Sequence, residues 1–425
     1  MSLQGPLIVV AENPATALVE ALGGAGAFPI VEATWADAPT AFVAVKPSAV
    51  VIAEPGAPVS ESSSRMLCLQ IATVAGPIVP AIAMADDIHD AAIPLALTAD
   101  AGEPAAKLIG RLQSAMRVRA LHSTVLRRIE TFASNGGQMP ELPVRDALDD
   151  ATVLIAGRGP LYPALSVAIG EQAKMIGALS VEAAAKQLNE RDIDGIVIGD
   201  GFSPRMVEAF LTVLAQDSRF HEIPVTVVGD APPGFDDSLP NIDHVNGDPA
   251  RLVARMVPLV RMRAFESRLK RMLKTLDAEG MFDPETGLLT RNSFWRELTK
   301  AVAEASDRSQ ALSVARYSFY SPNRGTLDER THLDGARLVN RLIRNIDFAC
   351  RDDYGAILIA FTQTDLRSAH VVARRIAGTL KNAMQAPQLG HERITANVTL
   401  ASLKNGDTLD SLMQRVMASR MVAAE

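Results

Sequence analysis

Leu7-Ile8-Val9-Val10-Ala11-Glu12 answers to Thr152-Val153-Leu154-Ile155-Ala156-Gly157, 145 residues further on. Both are short apolar runs, the pattern of a strand buried on both faces. Three more stretches repeat in the same order. Pro47-Ser48-Ala49-Val50-Val51-Ile52-Ala53-Glu54 answers to Ile193-Asp194-Gly195-Ile196-Val197-Ile198-Gly199-Asp200 at an offset of 146. Glu103-Pro104-Ala105 answers to Asp248-Pro249-Ala250 at 145, and Arg117-Val118-Arg119-Ala120-Leu121 to Arg261-Met262-Arg263-Ala264-Phe265 at 144. Chance supplies one such match but not easily four in order. Strand-like runs alternate with helical patterns over this region, which reads as βαβ units around a parallel sheet. Each half is therefore expected to be a five-stranded, doubly wound (flavodoxin-like) α/β domain ending in an extended helix.

The halves are expected to span 1–134 and 150–280. The chain breaks at Asn135-Gly136-Gly137-Gln138-Met139-Pro140, and the Pro/Asp-rich stretch that follows makes 135–149 a linker. The second long helix, from about Arg251 to Asp277, stops at Gly280 and leads into a third domain, 281–425.

A length of 425 residues suits two to four domains, and 48% hydrophobic content with 4% aromatic residues suits Ala/Val/Leu-rich α/β interiors. The net charge of −7 argues against bulk binding of nucleic acid or an anionic membrane, while leaving room for a local basic patch. Two distant cysteines, Cys68 and Cys350, give no disulfide framework and fit a reducing cytosol. No run approaches 18 apolar residues and the N-terminus has no charged leader, so neither a signal peptide nor a membrane span is expected. The seven histidines lack metal-ligating spacings, so no metal is expected, nor any cofactor.

The two halves resemble response-regulator receiver domains, over about 120 residues each. The resemblance implies phosphoryl transfer to a carboxylate, with acids holding Mg²⁺ after the first strand, a phosphoacceptor Asp after the third, Ser/Thr after the fourth and Lys after the fifth. The first-strand pair has become Ala11-Glu12 and Gly157-Arg158. The acceptor slot falls on Ala53 or Glu54 in one half and on Gly199 or Asp200 in the other, and neither Thr98 nor Gly247 supplies the Lys. Asp200 is the one candidate phosphoacceptor. The competing reading is an Asp capping a turn beside a depleted acid pocket, and the missing partners favour it. Glu54 reads as a solvated loop acid or a mimic of a charged acceptor. Arg158 between two glycines reads as a turn sooner than a phosphate loop. Both halves are expected to serve docking and dimerisation.

Asp283-Pro284-Glu285-Thr286-Gly287-Leu288-Leu289-Thr290-Arg291-Asn292-Ser293-Phe294 resembles the opening signature of GGDEF domains, D-x-L-T-G-L-x-N-R-x-x-F. Arg344-Asn345-Ile346-Asp347-Phe348-Ala349-Cys350-Arg351 resembles the stretch leading into their signature hairpin, and the resemblance covers about 140 residues. It implies an α/β nucleotide-cyclase-like domain over residues 283–425. Condensing two GTP needs carboxylates holding Mg²⁺ against the triphosphates and glycines that let the hairpin approach. The G-G-D/E-E-F slot holds Asp353, Tyr354, Gly355, Ala356 and Ile357, so the metal-ligand position is Gly355 and the acid after it is Ala356. Leu312-Ser313-Val314-Ala315-Arg316-Tyr317-Ser318-Phe319 lacks the family's metal-binding Asp, and Ser321-Pro322-Asn323-Arg324-Gly325 is shortened where the guanine-binding residues would sit. Asp352 and Asp353 are displaced from the family's acid positions, and a strand residue shifted by one points to the other face. Catalytic residues are therefore expected to be absent.

Arg344-x-x-Asp347 keeps its place, five residues ahead of the hairpin slot. In the family an R-x-x-D at this spacing binds the product, cyclic di-GMP. The chemistry suits guanine: a guanidinium forks onto O6 and N7, and a carboxylate accepts from the N–H edge, each good bidentate contact worth roughly 1–3 kcal/mol. Arg375, 31 residues beyond Arg344, falls on a second arginine of that site. The bland alternative is a surface ion pair of little energy. Arg351 and Arg374 read as solvated charges, Cys350 as a buried thiol, and Phe294 and Trp295 as packing.

Two receivers followed by a GGDEF domain is the layout of PleD-type cyclases. With a dead hairpin and an intact R-x-x-D, the chain resembles the PopA-like cyclic di-GMP effectors. That resemblance implies a cytoplasmic, non-catalytic adaptor at a cell pole, a homodimer that recruits RcdA and CtrA towards the ClpXP protease. A weakly active or GTP-binding cyclase controlled by receiver phosphorylation stands as the alternative.

Overall fold

The computed structural model describes residues 3–53, 61–84, 96–99, 105–137, 140, 146–229, 234–235, 238–277, 280–320, 329–384 and 395–418. Glu54 and the shortened segment 321–325 lie outside them. The chain divides into two compact units: Met1–His122 with Leu142–Arg271, and Ser123–Glu141 with Met272–Glu425.

The first unit holds two parallel sheets. Strands β1 (Gln4–Val10), β2 (Phe28–Ala33), β3 (Ala49–Ile52), β4 (Ala81–Met84) and β5 (Ala96–Ala99) lie in the order β2-β1-β3-β4-β5. Helices α1 (Thr16–Gly24), α2 (Ala38–Val45), α3 (Glu61–Thr73) and α4 (Ala105–Ser134) accompany them. Strands β6 (Thr152–Ala156), β7 (Lys174–Ala178), β8 (Gly195–Ile198), β9 (Val225–Val228) and β10 (Ile242–Val245) repeat that order from the other edge as β10-β9-β8-β6-β7. Their helices are α5 (Tyr162–Gly170), α6 (Val181–Glu190), α7 (Pro204–Gln216) and α8 (Pro249–Asp277). The repeated apolar runs form β1 and β6, β3 and β8, the central strands, and they are buried because helices cover both faces. This is the five-stranded α/β order expected of each half.

The repeat extends to a buried charge cluster. Arg111 on α4 and Arg255 on α8 stand 144 residues apart, as the long helices do, and both donate to Oδ1 of Asp243 on β10. All three side chains are buried. Lys107 stands 3.5 Å from the same oxygen. One carboxylate thus ties a helix of the first half to a strand of the second.

In the second unit, β11 (Leu312–Tyr320), β12 (Phe348–Arg351), β13 (Ile357–Thr362) and β14 (Thr395–Ser402) form an antiparallel sheet in the order β12-β13-β11-β14. Helices α9 (Arg291–Asp307), α10 (Glu329–Leu342), α11 (Leu366–Met384) and α12 (Leu409–Ala418) complete it. Ala315, Tyr317, Ala349, Ile357, Ile359 and Phe361 project to one face and pack on α10 and α11. The last part of α4 belongs to this unit: Arg128 bonds the buried Glu297 of α9 at 2.8 Å and Asp277 at 2.6 Å, and Arg127 bonds Glu304 at 2.7 Å.

Candidate functional site

The opening signature folds as a tight turn into α9. Asp283 accepts from Glu285 N through its side chain (2.8 Å), and its own N–H donates to Leu288 O (2.8 Å). Gly287 has φ +71°, a conformation that favours glycine, and a Cβ there would lie 2.6 Å from Asn340 Nδ2. Thr290 caps α9 by accepting from Ser293 N.

Beyond α10 the chain turns through Arg344–Asp347, closed by Asp347 N to Arg344 O at 2.9 Å, and enters β12. Arg344 Nε donates to Asp347 Oδ2 and Nη2 to Oδ1, both at 2.8 Å. Nη2 also reaches Thr364 Oγ1 (2.8 Å) and Thr362 O (3.2 Å), and Thr362 N donates to Asp347 Oδ1 (3.1 Å). The Asp347 side chain is 1% exposed and the Arg344 side chain 37%. Burial pushes the Asp347 carboxyl above its ordinary value, and the Arg344 hydrogen bonds and charge offset that only in part. Arg344 and Asp347 line a cavity of about 100 Å³ with Phe282, Asn340, Asn345 and Phe348. This is below the roughly 300–1,000 Å³ of an enclosing ligand pocket. Arg375 is exposed on α11 and is not among the residues lining this cavity. Arg128 and Asp277 do line it, which the sequence did not indicate, because nothing in the pattern of α4 marks where it meets α9.

Across the hairpin, the two acids expected near the G-G-D/E-E-F slot are both paired with arginines. Gly355 has φ +76°, and a Cβ on it would lie 2.7 Å from His332 Nδ1. Asp352 accepts from Tyr354 N (2.9 Å) and Ala356 N (2.8 Å) through Oδ1. Its Oδ2 pairs with Arg316 on β11 at 3.1 Å, with both side chains nearly buried. Asp353 pairs with Arg291 at the start of α9. Tyr354 points into solvent, Ala356 is buried, and Ile357 opens β13 within the core. Period-2 alternation explains the Arg316 pair: Arg316 and Cys350 both oppose Leu358, and Asp352 follows Cys350 by two. That pair was legible only once the register was known. Among the described residues no group of three or more His, Cys, Asp or Glu could hold a metal ion.

Asp200 lies in the loop after β8 and faces inward. Its Oδ2 accepts from Leu161 N (3.3 Å), its carbonyl accepts from Arg158 N and Gly159 N, and Oδ1 is buried without a hydrogen-bond partner. A Cβ on Gly159 would collide with the carboxylate. Arg158 turns its Nε to Gly201 O (3.0 Å) and stacks over Phe202. In the first half, Glu12 accepts from Trp35 N (3.1 Å). Thr98 lies on β5, and Gly247 takes φ +58° after β10.

No protein-family model matches the chain, and no curated protein matches it. Among solved structures, part of the chain is similar to the coiled coil and GGDEF domain of DgcB from Caulobacter crescentus in complex with c-di-GMP. The identity is 21% and the TM-score 0.29, over 36% of this chain and 84% of that one. It is similar to the diguanylate cyclase SiaD of Pseudomonas aeruginosa in complex with its activator SiaC, at 22% and 0.30, over 36% and 62%. It is also similar to the FimX GGDEF domain of Pseudomonas aeruginosa, at 17% and 0.29, over 32% and 89%. No described helix is long and apolar enough to cross a membrane.

Proposed function

We propose that this chain is a non-catalytic cyclic di-GMP effector. It reads the dinucleotide at Arg344 and Asp347, with Arg375 as an outer arginine, on a GGDEF domain that does not make it. The observation that carries the reading is the contrast between the two sites. Asp352 is held by Arg316 and the hairpin amides, Asp353 by Arg291, and the metal-ligand position is a left-handed glycine. The described carboxylates nearest the hairpin tip are therefore spent on the fold rather than left free to hold a metal ion against a triphosphate.

Arg344, by contrast, is held by Asp347, Thr362 and Thr364 while its Nη1 makes no hydrogen bond among the described residues. A guanidinium fixed on one side and open on the other is organised in advance for a guanine edge or a phosphate. Asp347 orients Arg344 in this arrangement, and its direct contact with a ligand requires the pair to open. The receiver-like halves then serve protein partners, which the PopA-like resemblance makes RcdA and CtrA at a cell pole.

Isothermal calorimetry with cyclic di-GMP tests the ligand. Binding is expected to disappear in Arg344→Ala, and binding that survives this change sinks the assignment. Incubation with labelled GTP tests the loss of catalysis, and any cyclic product overturns it.

A further inference from the structure

Helix α11 carries four cations, Arg367, Arg374, Arg375 and Lys381, together with His370, and no Asp or Glu from Leu366 to Met384. Its inner face, Ala369, Ala373, Ile376 and Leu380, packs in the core. Arg367, Arg374 and Lys381 recur every seven residues, so they line up on the opposite face about 10 Å apart. All three are exposed, and none makes an ion pair or side-chain hydrogen bond among the described residues. Val371, 67% exposed, sits between Arg367 and Arg374, and Leu366, 45% exposed, stands at the head of the helix. The helix forgoes the i,i+4 acid–base pairs that usually accompany a solvated face. On a chain of net charge −7 this stripe is a local reversal of sign with an apolar centre.

We propose that this face of α11 docks an acidic amphipathic helix of a partner protein. Its carboxylates would meet Arg367, Arg374 and Lys381, and an apolar side chain would seat on Val371. The charge pattern selects a short acidic helix over a polyanion. A nucleic acid or anionic bilayer meets the repulsive field of the whole chain, whereas a short helix meets mainly what lies within a Debye length of about 8 Å. The exposed valine has no use against a phosphate backbone. Arg375 lies about 100° around the helix from Arg374, off this line, so the inference is independent of the dinucleotide site.

Fluorescence anisotropy on the full chain tests it. The probe is a labelled amphipathic peptide with Glu at seven-residue intervals and Leu between them. Competitors are the same peptide with Ser for Leu, a single-stranded DNA oligonucleotide and phosphatidylserine vesicles. The peptide is expected to bind, to lose about tenfold or more in affinity on Arg367→Glu/Arg374→Glu/Lys381→Glu, and to weaken a few-fold on Val371→Ser. Circular dichroism checks that the exposed charge reversals keep the fold. The proposal is overturned by absence of peptide binding, equal binding by the triple variant, equal binding of the Ser peptide, or stronger competition by the oligonucleotide or vesicles.

Discussion

Arg344 grips Asp347 through two parallel hydrogen bonds, Nε to Oδ2 and Nη2 to Oδ1, and shuts its carboxylate away from water. The pair therefore clamps the turn before β12 to the end of β13 as well as aiming a cation outward. Arg344→Ala leaves a buried carboxylate with Thr362 N as its remaining side-chain donor, at a cost of roughly 1–3 kcal/mol. The urea midpoint should fall with the m-value unchanged. Arg344→Lys keeps the charge without the fork, so it should recover part of the stability and none of the dinucleotide binding. A lysine variant that binds like the wild type removes the fork from the proposal.

The same burial sets a pH dependence. Asp347 titrates above its ordinary 3.8 in the folded chain, so the folded state holds more protons than the unfolded one. Its contribution favours folding below the unfolded value and is lost as pH rises through the folded one. Asp347→Asn removes this group. The stability of the wild type relative to the Asn variant should decline as pH rises from the ordinary carboxylate value through the raised folded one, read from urea midpoints. A flat difference over that interval contradicts the buried state of the carboxyl.

Placing the acids of the GGDEF pattern in this hairpin should not create a cyclase. In Tyr354→Gly/Gly355→Asp/Ala356→Glu, the new Asp must adopt φ +76° beside His332 and the new Glu takes a buried position. The left-handed residue alone costs about 1–2 kcal/mol. Asp352 also remains tied to Arg316. The expected result is a less stable protein that makes no cyclic di-GMP from GTP. Product above background would mean that the hairpin lacks only its side chains.

Asp200 is expected to refuse phosphate. Its carboxylate fills the space over Gly159, with one oxygen on Leu161 N and the other buried. A small phosphodonor should leave the wild type unlabelled. Gly159→Ala should force Asp200 outward and cost roughly 1–3 kcal/mol in unfolding free energy. Labelling of the wild type that vanishes in Asp200→Asn contradicts this reading.

The sequence carried the parts of the fold that depend on local pattern. Four matched stretches located equivalent strands and helices in the two halves because burial on both faces writes itself as an apolar run. Gly287 and Thr290 were visible as members of the Asp283–Phe294 motif, but not as the left-handed turn and the helix cap they form. What could not be read depends on register and on contacts distant in sequence. Arg316 reaches Asp352 only because β11 and β12 flank β13 with Leu358 opposite both Arg316 and Cys350. The spacing of Arg344 and Asp347 was visible, but not that the carboxylate faces inward. Nor did the 31-residue spacing reveal that Arg375 stands outside the cavity.

Asp243 offers the sharpest test of how the two repeats cohere. It belongs to β10 of the second half, yet it accepts from Arg111 of the first half as well as from Arg255 of its own, and Lys107 of the first half stands beside it. Removing the carboxylate leaves three cationic groups sharing one buried place. Breaking a buried pair from one side typically costs 3–5 kcal/mol, because the remaining charge is uncompensated. Asp243→Ala should therefore destabilise the first unit by about that amount. Arg111→Met/Asp243→Leu removes partners from both halves together and should cost less than Asp243→Ala, since an apolar replacement leaves less charge stranded. If Asp243 couples the repeats, the wild type should unfold this unit in one step and Asp243→Ala in two, visible as separate calorimetric transitions. A single transition in both proteins would place the coupling outside this charge cluster.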